Sequence, residues 1–272
     1  MFRGIFGIVG LWCLWMPMAM AGVLSDRAAA FPHWQEKPPV RPVRGDLGYP
    51  PWMEGTWNVT STLVDAVAPL APEIVTPGYE VNRRYLDRSL NFQVRFQPQS
   101  PSEAKSTGKS TEKSTQTSAS ESDGRSRIVA DRAFNGESIA RAYLGSERDV
   151  SVRVDPDDPN RQITRIPPNR KLVSVVRGRS SERPTPDRFV ATEVSYQVFR
   201  TKSQIYLNEV ETTTVYDRKS PTRLEGNQMT AIYLSPKDPN YFRANGRPVA
   251  LYRYRLQLER ETGGDDRTSF LF

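Results

Sequence analysis

The stretch Gly55-Thr56-Trp57-Asn58-Val59-Thr60-Ser61-Thr62-Leu63 places a glycine two residues before a tryptophan and then continues in β-branched residues. Aromatic and β-branched residues favour strands, and a glycine permits backbone conformations that other residues avoid. The stretch therefore predicts a strand that begins at a tight backbone position. It also places the large Trp57 ring at the base of a core.

Alternation of apolar and polar residues predicts further antiparallel strands after this one. In residues 90–97, the apolar face carries Leu90, Phe92, Val94 and Phe96. Residues 188–200 and 205–216 are joined by only four residues and predict a hairpin, with Val190, Val194, Tyr196 and Val198 on one face. The last strand, residues 248–260, is predicted to turn inward Ala250, Tyr252, Tyr254, Leu256 and Leu258.

About nine or ten strands of this kind predict a mainly β protein, an antiparallel barrel over residues 55–260. A barrel is favoured over a bent sandwich because a closed sheet leaves no unpaired strand edge. One short helix is predicted over Glu137–Leu144, with Asn135 as its N-cap and Gly145 as its C-cap.

The remaining segments differ from the barrel in composition. Residues 1–21 read as a signal peptide, with Arg3, an apolar stretch and then Ala19-Met20-Ala21, so we expect the chain to be exported. Residues 22–54 are rich in proline and predict an extended segment. Residues 98–127, rich in Ser, Thr and Lys, predict a disordered insertion, and residues 261–272 form a C-terminal tail.

Composition excludes several kinds of site. Cys13 is the only cysteine and lies in the predicted signal peptide, and His33 is the only histidine. Disulfides, zinc–thiolate sites and multi-histidine metal sites are therefore excluded from the mature chain. Asp155-Pro156-Asp157-Asp158-Pro159-Asn160 lacks the EF-hand glycine and predicts Asp-Pro turns, so no metal and no other cofactor is expected.

Charged residues leave two questions open. The net charge is +7, or +6 without Arg3, which is compatible with an acidic protein partner or a membrane surface, and no motif predicts nucleic-acid binding. A basic rim is one hypothesis; scattered solubilising charge is the other. The rim residues are Arg83, Arg84, Arg161, Arg165, Arg170, Lys171, Arg177, Arg179 and Arg183.

Glu193, Glu209 and Glu211 would suit acid–base chemistry if buried. A solvated outer face with arginine neighbours is favoured for them.

The apolar, proline-broken loop Ala66–Val75 has two interpretations. It is either a lid packed over an open end of the core or a segment that docks on another molecule. The packed lid is favoured.

The Gly55-Thr56-Trp57 strand start resembles the first signature of the lipocalin and wider calycin group. The resemblance implies that Trp57 plugs the closed end of the barrel and stacks on an arginine near the last strand. Arg253, Arg255 and Arg260 are the candidates for this cation–π partner. The second lipocalin signature, Thr-Asp-Tyr, is absent, and the strand count exceeds the lipocalin plan.

A broader resemblance covers most of residues 31–260. Gly55-Thr56-Trp57, residues 68–78, Val129–Gly136 and Ala231–Pro236 are similar to an uncharacterised family of cyanobacteria and chloroplasts. Plastid members of that family are thought to enter the thylakoid lumen. The resemblance implies that the exported chain resides in a thylakoid lumen or a periplasm. It implies no mechanism.

Three functional hypotheses follow. The first is a non-enzymatic protein that binds a small apolar or amphipathic molecule (lipid, pigment or quinone-like) beside Trp57, Tyr196, Tyr252 and Tyr254, with the Ala66–Val75 loop near the mouth. The alternative is an accessory or assembly protein of thylakoid or cell-envelope membrane complexes, with a filled core and a basic binding rim. An enzyme based on carboxylates, Ser and Tyr is the third. Bulky inward residues favour a filled core, whereas a cavity would favour the first hypothesis.

Overall fold

The computed structural model describes residues 22–43, 45–99, 126–145 and 148–261. Ten strands pair antiparallel in the order β4-β3-β2-β11-β10-β9-β8-β7-β6-β5, and the sheet is curled into a half-barrel. The two-residue strand β1 extends the edge of β7. The predicted mainly β, antiparallel, barrel-like class is confirmed.

The strands are β1 Arg41–Pro42, β2 Gly55–Val67, β3 Ser89–Pro98, β4 Ile128–Ala130, β5 Ser151–Asp155, β6 Asp158–Ile166, β7 Arg170–Thr185, β8 Arg188–Arg200, β9 Ile205–Ser220, β10 Arg223–Leu234 and β11 Ala250–Arg260. The helices are α1 Val23–Ala29, α2 Tyr79–Arg83, α3 Arg132–Leu144 and α4 Tyr241–Ala244, with a 3-10 turn at Pro51–Met53.

The inner face follows the predicted alternation on β2, β3 and β11. Trp57 pairs with Val94 and Val59 pairs with Phe92 across β2 and β3, so the predicted apolar set of β3 faces inward. Trp57 is fully buried, and its indole Nε1 donates a hydrogen bond of 2.8 Å to the carbonyl of Met53. The ring thus closes the end of the half-barrel at which β2 begins.

Helix α3 lies across the gap between the two edges of the sheet. β4 pairs with β3 only at residues 96–98, and side chains of α3 take over from there. Asn135 accepts from the Arg95 amide at 2.6 Å and donates to its carbonyl at 3.1 Å, and Ser138 accepts from the Gln93 amide at 2.9 Å. On the other side, Gly136 lies against Val152 of β5 and Gln162 of β6.

The start predicted for this helix is wrong. Asp131, not Asn135, is the N-cap, and its carboxylate accepts from the Phe134 amide at 3.1 Å. Asn135 instead binds the edge of β3, a role that its sequence neighbourhood does not signal. The predicted C-cap, Gly145, ends the helix with a φ of 91°.

Residues 22–43 cover part of the outer face of the sheet. Phe31 and Trp34 pack on Met229, Ala231 and Leu251, which point away from the barrel interior. Arg27 makes two hydrogen bonds of 2.7 Å to the carboxylate of Glu211. The outer face of these strands is therefore a second buried layer.

The structure corrects the prediction of a solvated outer face for Glu211 and Glu193. Glu211 is fully buried, bonded to Arg27, to the Tyr233 hydroxyl at 2.8 Å and to the Thr213 hydroxyl at 2.8 Å. Glu209 pairs with Lys37, while Glu193 lies on the opposite, inner face across from Thr212. The prediction was wrong for Glu211 because the N-terminal segment covers it, and wrong for Glu193 because this residue lies on the inner face.

The loop after β2 is packed, as predicted. Leu70 and Ile74 are buried against Leu234, Ala244 and Val249 at the end of the half-barrel opposite Trp57. The predicted signal peptide, residues 100–125 of the predicted insertion and residues 262–272 of the predicted tail lie outside the described residues. Where the structure describes the chain, the helices are too short or too polar to span a bilayer.

Candidate functional site

A cavity of about 300 Å³ lies inside the half-barrel, between the Trp57 end and the packed loop. Side chains from β2, β3, β8, β9, β10, β11 and α3 line it. Its volume falls at the lower end of the range of about 300–1,000 Å³ that is typical of small-molecule pockets.

One wall of the cavity is mostly apolar. Val59 and Phe92 are cross-strand neighbours on β2 and β3, and Leu258 lies beside Val59 on β11. Val94 and Leu256 extend the same wall. These five side chains offer dispersion contacts to a ligand, while Ser61 of β2 and Tyr254 of β11 add two hydroxyls to the same wall.

The facing wall is polar and comes from three neighbouring strands. Glu193 of β8 lies opposite Thr212 of β9, and Thr214 of β9 lies opposite Gln228 of β10. All four line the cavity. The cavity therefore has a mostly apolar wall and a hydrogen-bonding wall, an arrangement that suits an amphipathic molecule.

Behind Glu193 stands a network of two guanidinium groups and two carboxylates. The Oε1 atom of Glu193 is 2.8 Å from Nη2 of Arg132 and 2.8 Å from Nη2 of Arg179. Arg132 also binds Asp46 at 2.9 Å, and Arg179 binds the Asn160 side chain at 2.8 Å. Glu193 is the charged member that reaches the cavity among the described residues.

Electrostatics hold this network ionised. Burial alone would lower the pKa of the Arg132 guanidinium, but Glu193 and Asp46 raise it above its ordinary value on balance. Burial lowers the pKa of Arg179, against the opposing effect of Glu193. Since arginine titrates far above neutral pH, both remain charged and keep Glu193 compensated.

The cavity tyrosines stay neutral at physiological pH. Burial raises the pKa of Tyr216 to about 12 and raises the pKa of Tyr49, Tyr143 and Tyr254 above the ordinary phenol value. These hydroxyls can donate and accept hydrogen bonds without bringing charge.

Access to the cavity is lateral. Asn135, Ile139 and Tyr143 of α3 contribute to its lining, and Ile139 and Tyr143 are each more than a third exposed. The predicted mouth near Ala66–Val75 is wrong, because Leu70 and Ile74 of that loop pack into the end of the barrel.

The structure brings some of the predicted ligand-binding residues to the cavity. Tyr254 lines it. Trp57 lies one layer beyond it toward the closed end, and Tyr252 packs on Tyr79 toward the opposite end. Tyr196 is not in the barrel: its cross-strand partner is Glu209, on the outer face next to the N-terminal segment.

Of the three candidate arginines, Arg260 is the one over the tryptophan. Its guanidinium carbon lies 4.5 Å from the centroid of the Trp57 ring. It also donates to the carbonyls of Glu54, Trp52 at 3.0 Å and Pro221 at 3.1 Å. Arg253 instead binds Asn227, and Arg255 is exposed.

Sequence reasoning missed the polar wall and its network. Thr212, Thr214 and Gln228 alternate with outer-face residues that are even more deeply buried, such as Glu211 and Thr213. Because both faces of these strands are covered, the sequence shows no alternation of apolar and polar residues that would identify the inner face. Arg179, expected in a basic rim, points inward and is 9% exposed.

Residues 42–262 match the model of a family described as a domain of unknown function, DUF6816. The search of curated proteins and that of solved structures found no match.

Proposed function

We propose that this chain, which belongs to the DUF6816 family, is a non-enzymatic binding protein for a small amphipathic molecule. The observation that carries the proposal is the two-sided cavity of about 300 Å³ between β2–β3–β11 and β8–β9–β10. Ligand sites are typically concave and mostly apolar, with a few fixed polar groups.

The charges favour a ligand whose polar end is not acidic. Two guanidinium groups already balance Glu193 and Asp46, so a ligand carboxylate would add an uncompensated negative charge beside Glu193. Two contacts on Oε1 leave acceptor capacity on the Glu193 carboxylate. A hydroxyl or amide N–H of a lipid, pigment or quinol-like molecule suits it.

The calycin-like resemblance and the predicted location support this reading. The contact between Arg260 and Trp57 is the pairing that the resemblance implies. Export to a thylakoid lumen or periplasm rests on the pattern of residues 1–21 and on the resemblance to proteins of cyanobacteria and chloroplasts. Intact mass of the chain purified from its source tests the predicted cleavage after Ala21.

Displacement of a fluorescent probe tests the binding proposal. The probe is N-phenyl-1-naphthylamine, a neutral fluorophore that brightens in apolar surroundings, and the competitors are decanol and decanoate. We expect the wild-type chain to bind the probe and decanol to displace it at lower concentration than decanoate. Better displacement by decanoate would contradict the assignment of a non-acidic ligand end.

Blocking variants locate the site. Thr212→Phe puts a ring into the cavity, and Val94→Trp fills the opposite wall; each is expected to weaken probe binding by roughly tenfold or more, equivalent to about 1.4 kcal/mol. Gln257→Phe adds the same ring to the exposed outer face of β11 and is expected to leave probe binding unchanged. Equal binding by folded wild-type and blocked variants would place the probe elsewhere and overturn the proposal.

A further inference from the structure

Three chain connections lie together at the end of the half-barrel opposite Trp57. They are residues 68–88 between β2 and β3, residues 201–204 between β8 and β9, and residues 235–249 between β10 and β11. The pairs Val67–Leu251, Leu234–Asn208 and Arg200–Ile205 place them at one end of the sheet. We call the surface formed by residues 68–88, 200–205 and 235–249 the loop end.

Side-chain contacts tie the loop end together. The hydroxyls of Thr76 and Tyr206 are 2.7 Å apart, which joins the first connection to the start of β9. Leu70 and Ile74 pack with Ala244 and Val249, which joins the first connection to the third. The loop end is therefore an anchored surface.

This anchored surface carries large apolar side chains in solvent. Phe242 on α4 is 86% exposed, Ile205 is 59% exposed, Val81 on α2 is 55% exposed and Val75 is 44% exposed. Each connection contributes at least one, counting Ile205 at the exit of the hairpin. Their neighbours Tyr79 and Ala244 are buried, so α2 and α4 are held while Val81 and Phe242 point outward.

Basic residues outnumber acidic ones at the loop end by eight to four. The basic residues are Arg83, Arg84, Arg88, Arg200, Lys202, Lys237, Arg243 and Arg247, where Arg88 ends the first connection and Arg200 ends β8. The acidic residues are Glu73, Glu80, Asp87 and Asp238. Arg243 directly follows the most exposed apolar side chain, Phe242, and Arg247 comes five residues after Phe242.

Separate apolar tips among arginines fit a bilayer surface. A bilayer interface accepts apolar side chains at the boundary of head groups and acyl chains, and anionic lipids attract the basic residues around them. A protein partner would instead need a well-packed contact core of larger area. We propose that the loop end docks on an anionic lipid bilayer, with Phe242, Ile205, Val81 and Val75 inserting at that boundary.

The lateral entrance of the cavity borders the loop end, because the ring of Tyr143 packs on Tyr85 with 5.9 Å between the ring centroids. The side chains proposed to insert into the bilayer (Phe242, Ile205, Val81 and Val75) are not among those that line the cavity. This inference therefore stands or falls independently of the ligand proposal.

A fluorophore at position 242 tests the docking locally. The full chain carries Cys13→Ser and Phe242→Cys, and the new thiol is labelled with a polarity-sensitive dye; Ile205→Cys gives a second site. The matched control is Thr222→Cys, an exposed residue in the turn between β9 and β10 at the opposite end. A local readout is needed because the apolar residues 1–21 are present in every variant.

We expect dyes at positions 242 and 205 to brighten with phosphatidylglycerol vesicles, to be quenched by brominated acyl chains and to respond less in high salt. The dye at 222 should stay unchanged. In the chain labelled at 242, Arg243→Gln and Arg247→Gln should each weaken vesicle binding by about fivefold, since a basic residue near an anionic surface contributes about 1 kcal/mol.

Equal responses at 242 and 222 would overturn the assignment of the loop end. If neither the dye at position 242 nor the dye at position 205 changed its fluorescence with anionic vesicles, the proposal of lipid docking would be overturned. If a dye at 242 were silent on vesicles while a photo-crosslinker there captured a protein in isolated membranes, the occupant would be a protein and not a lipid.

Discussion

Gly55 has a backbone φ of +116°, and the guanidinium of Arg260 lies where a side chain at this position would begin. A β-carbon on residue 55 would approach Nη1 of Arg260 to 2.7 Å. Arg260 in turn lies over Trp57 and binds three backbone carbonyls around it. The glycine and the tryptophan of the opening stretch thus serve one arrangement at the closed end.

Substitutions of Gly55 and Gly78 distinguish the energetic cost of backbone strain from the cost of steric crowding. Gly55→Ala is expected to lower the free energy of unfolding by more than Gly78→Ala, because Gly78 also has a positive φ, of +93°, but open space around its Cα. Strain alone costs about 1–3 kcal/mol. Urea unfolding of both variants measures the difference, and equal losses would show that Arg260 does not depend on Gly55.

The phenol of Tyr216 predicts a loss of stability at alkaline pH. Burial raises the pKa of Tyr216 to about 12, whereas an unfolded tyrosine titrates near about 10. As pH rises through this window, the unfolded chain releases the proton first, so the free energy of unfolding falls. Tyr216→Phe should show a shallower fall than wild type between about pH 10 and 12, with melting temperature as the readout. Parallel curves would contradict the shifted pKa.

At the level of secondary-structure elements, the buried ion pair between Arg27 and Glu211 helps to hold the N-terminal segment on the sheet. Glu211→Gln removes the partner of Arg27 and is expected to lower the free energy of unfolding by about 3–5 kcal/mol, since it leaves a buried charge uncompensated. Glu209→Gln breaks the more exposed pair with Lys37 and should cost about 0–1 kcal/mol. Urea unfolding and proteolysis of residues 22–43 measure both effects. Similar costs for the two variants would contradict the buried docking.

The strands differ in how well the sequence predicts them. β3 has a clean contrast, with Phe92 and Phe96 inward and Asn91 exposed, so its inner face was predictable. β8 buries Phe189 and Ala191 on one face and Val190 and Thr192 on the other, and its inner face was assigned wrongly. The cover on β8 and β9 comes from a segment far away in sequence: Arg27 and Glu211 are 184 residues apart. No local pattern encodes such a pairing.

For the whole molecule, residues 100–125 are expected to be dispensable for the fold. The Gln99 amide donates to the Arg127 carbonyl at 2.7 Å, and Pro98 pairs with Ile128, so the ends of this segment are already held together. Replacing residues 100–125 with a short Gly-Ser linker should keep the far-UV circular dichroism. It should shift the melting temperature by only a few degrees, because loop closure depends weakly on length. A chain that no longer folds would show that the segment packs on the barrel.

The half-barrel has an open seam, and α3 protects it with side chains instead of a strand. Asn135 and Ser138 occupy backbone groups of Arg95 and Gln93 that would otherwise face outward along β3. When the helix lifts, those groups become a template for a strand from another molecule. Self-association on heating should therefore begin when α3 detaches from β3, before the sheet itself melts. The double variant Asn135→Ala with Ser138→Ala should begin to self-associate at a lower temperature than the wild-type chain. The seam at which we propose that a ligand enters is thus also the place where we expect the chain to polymerise.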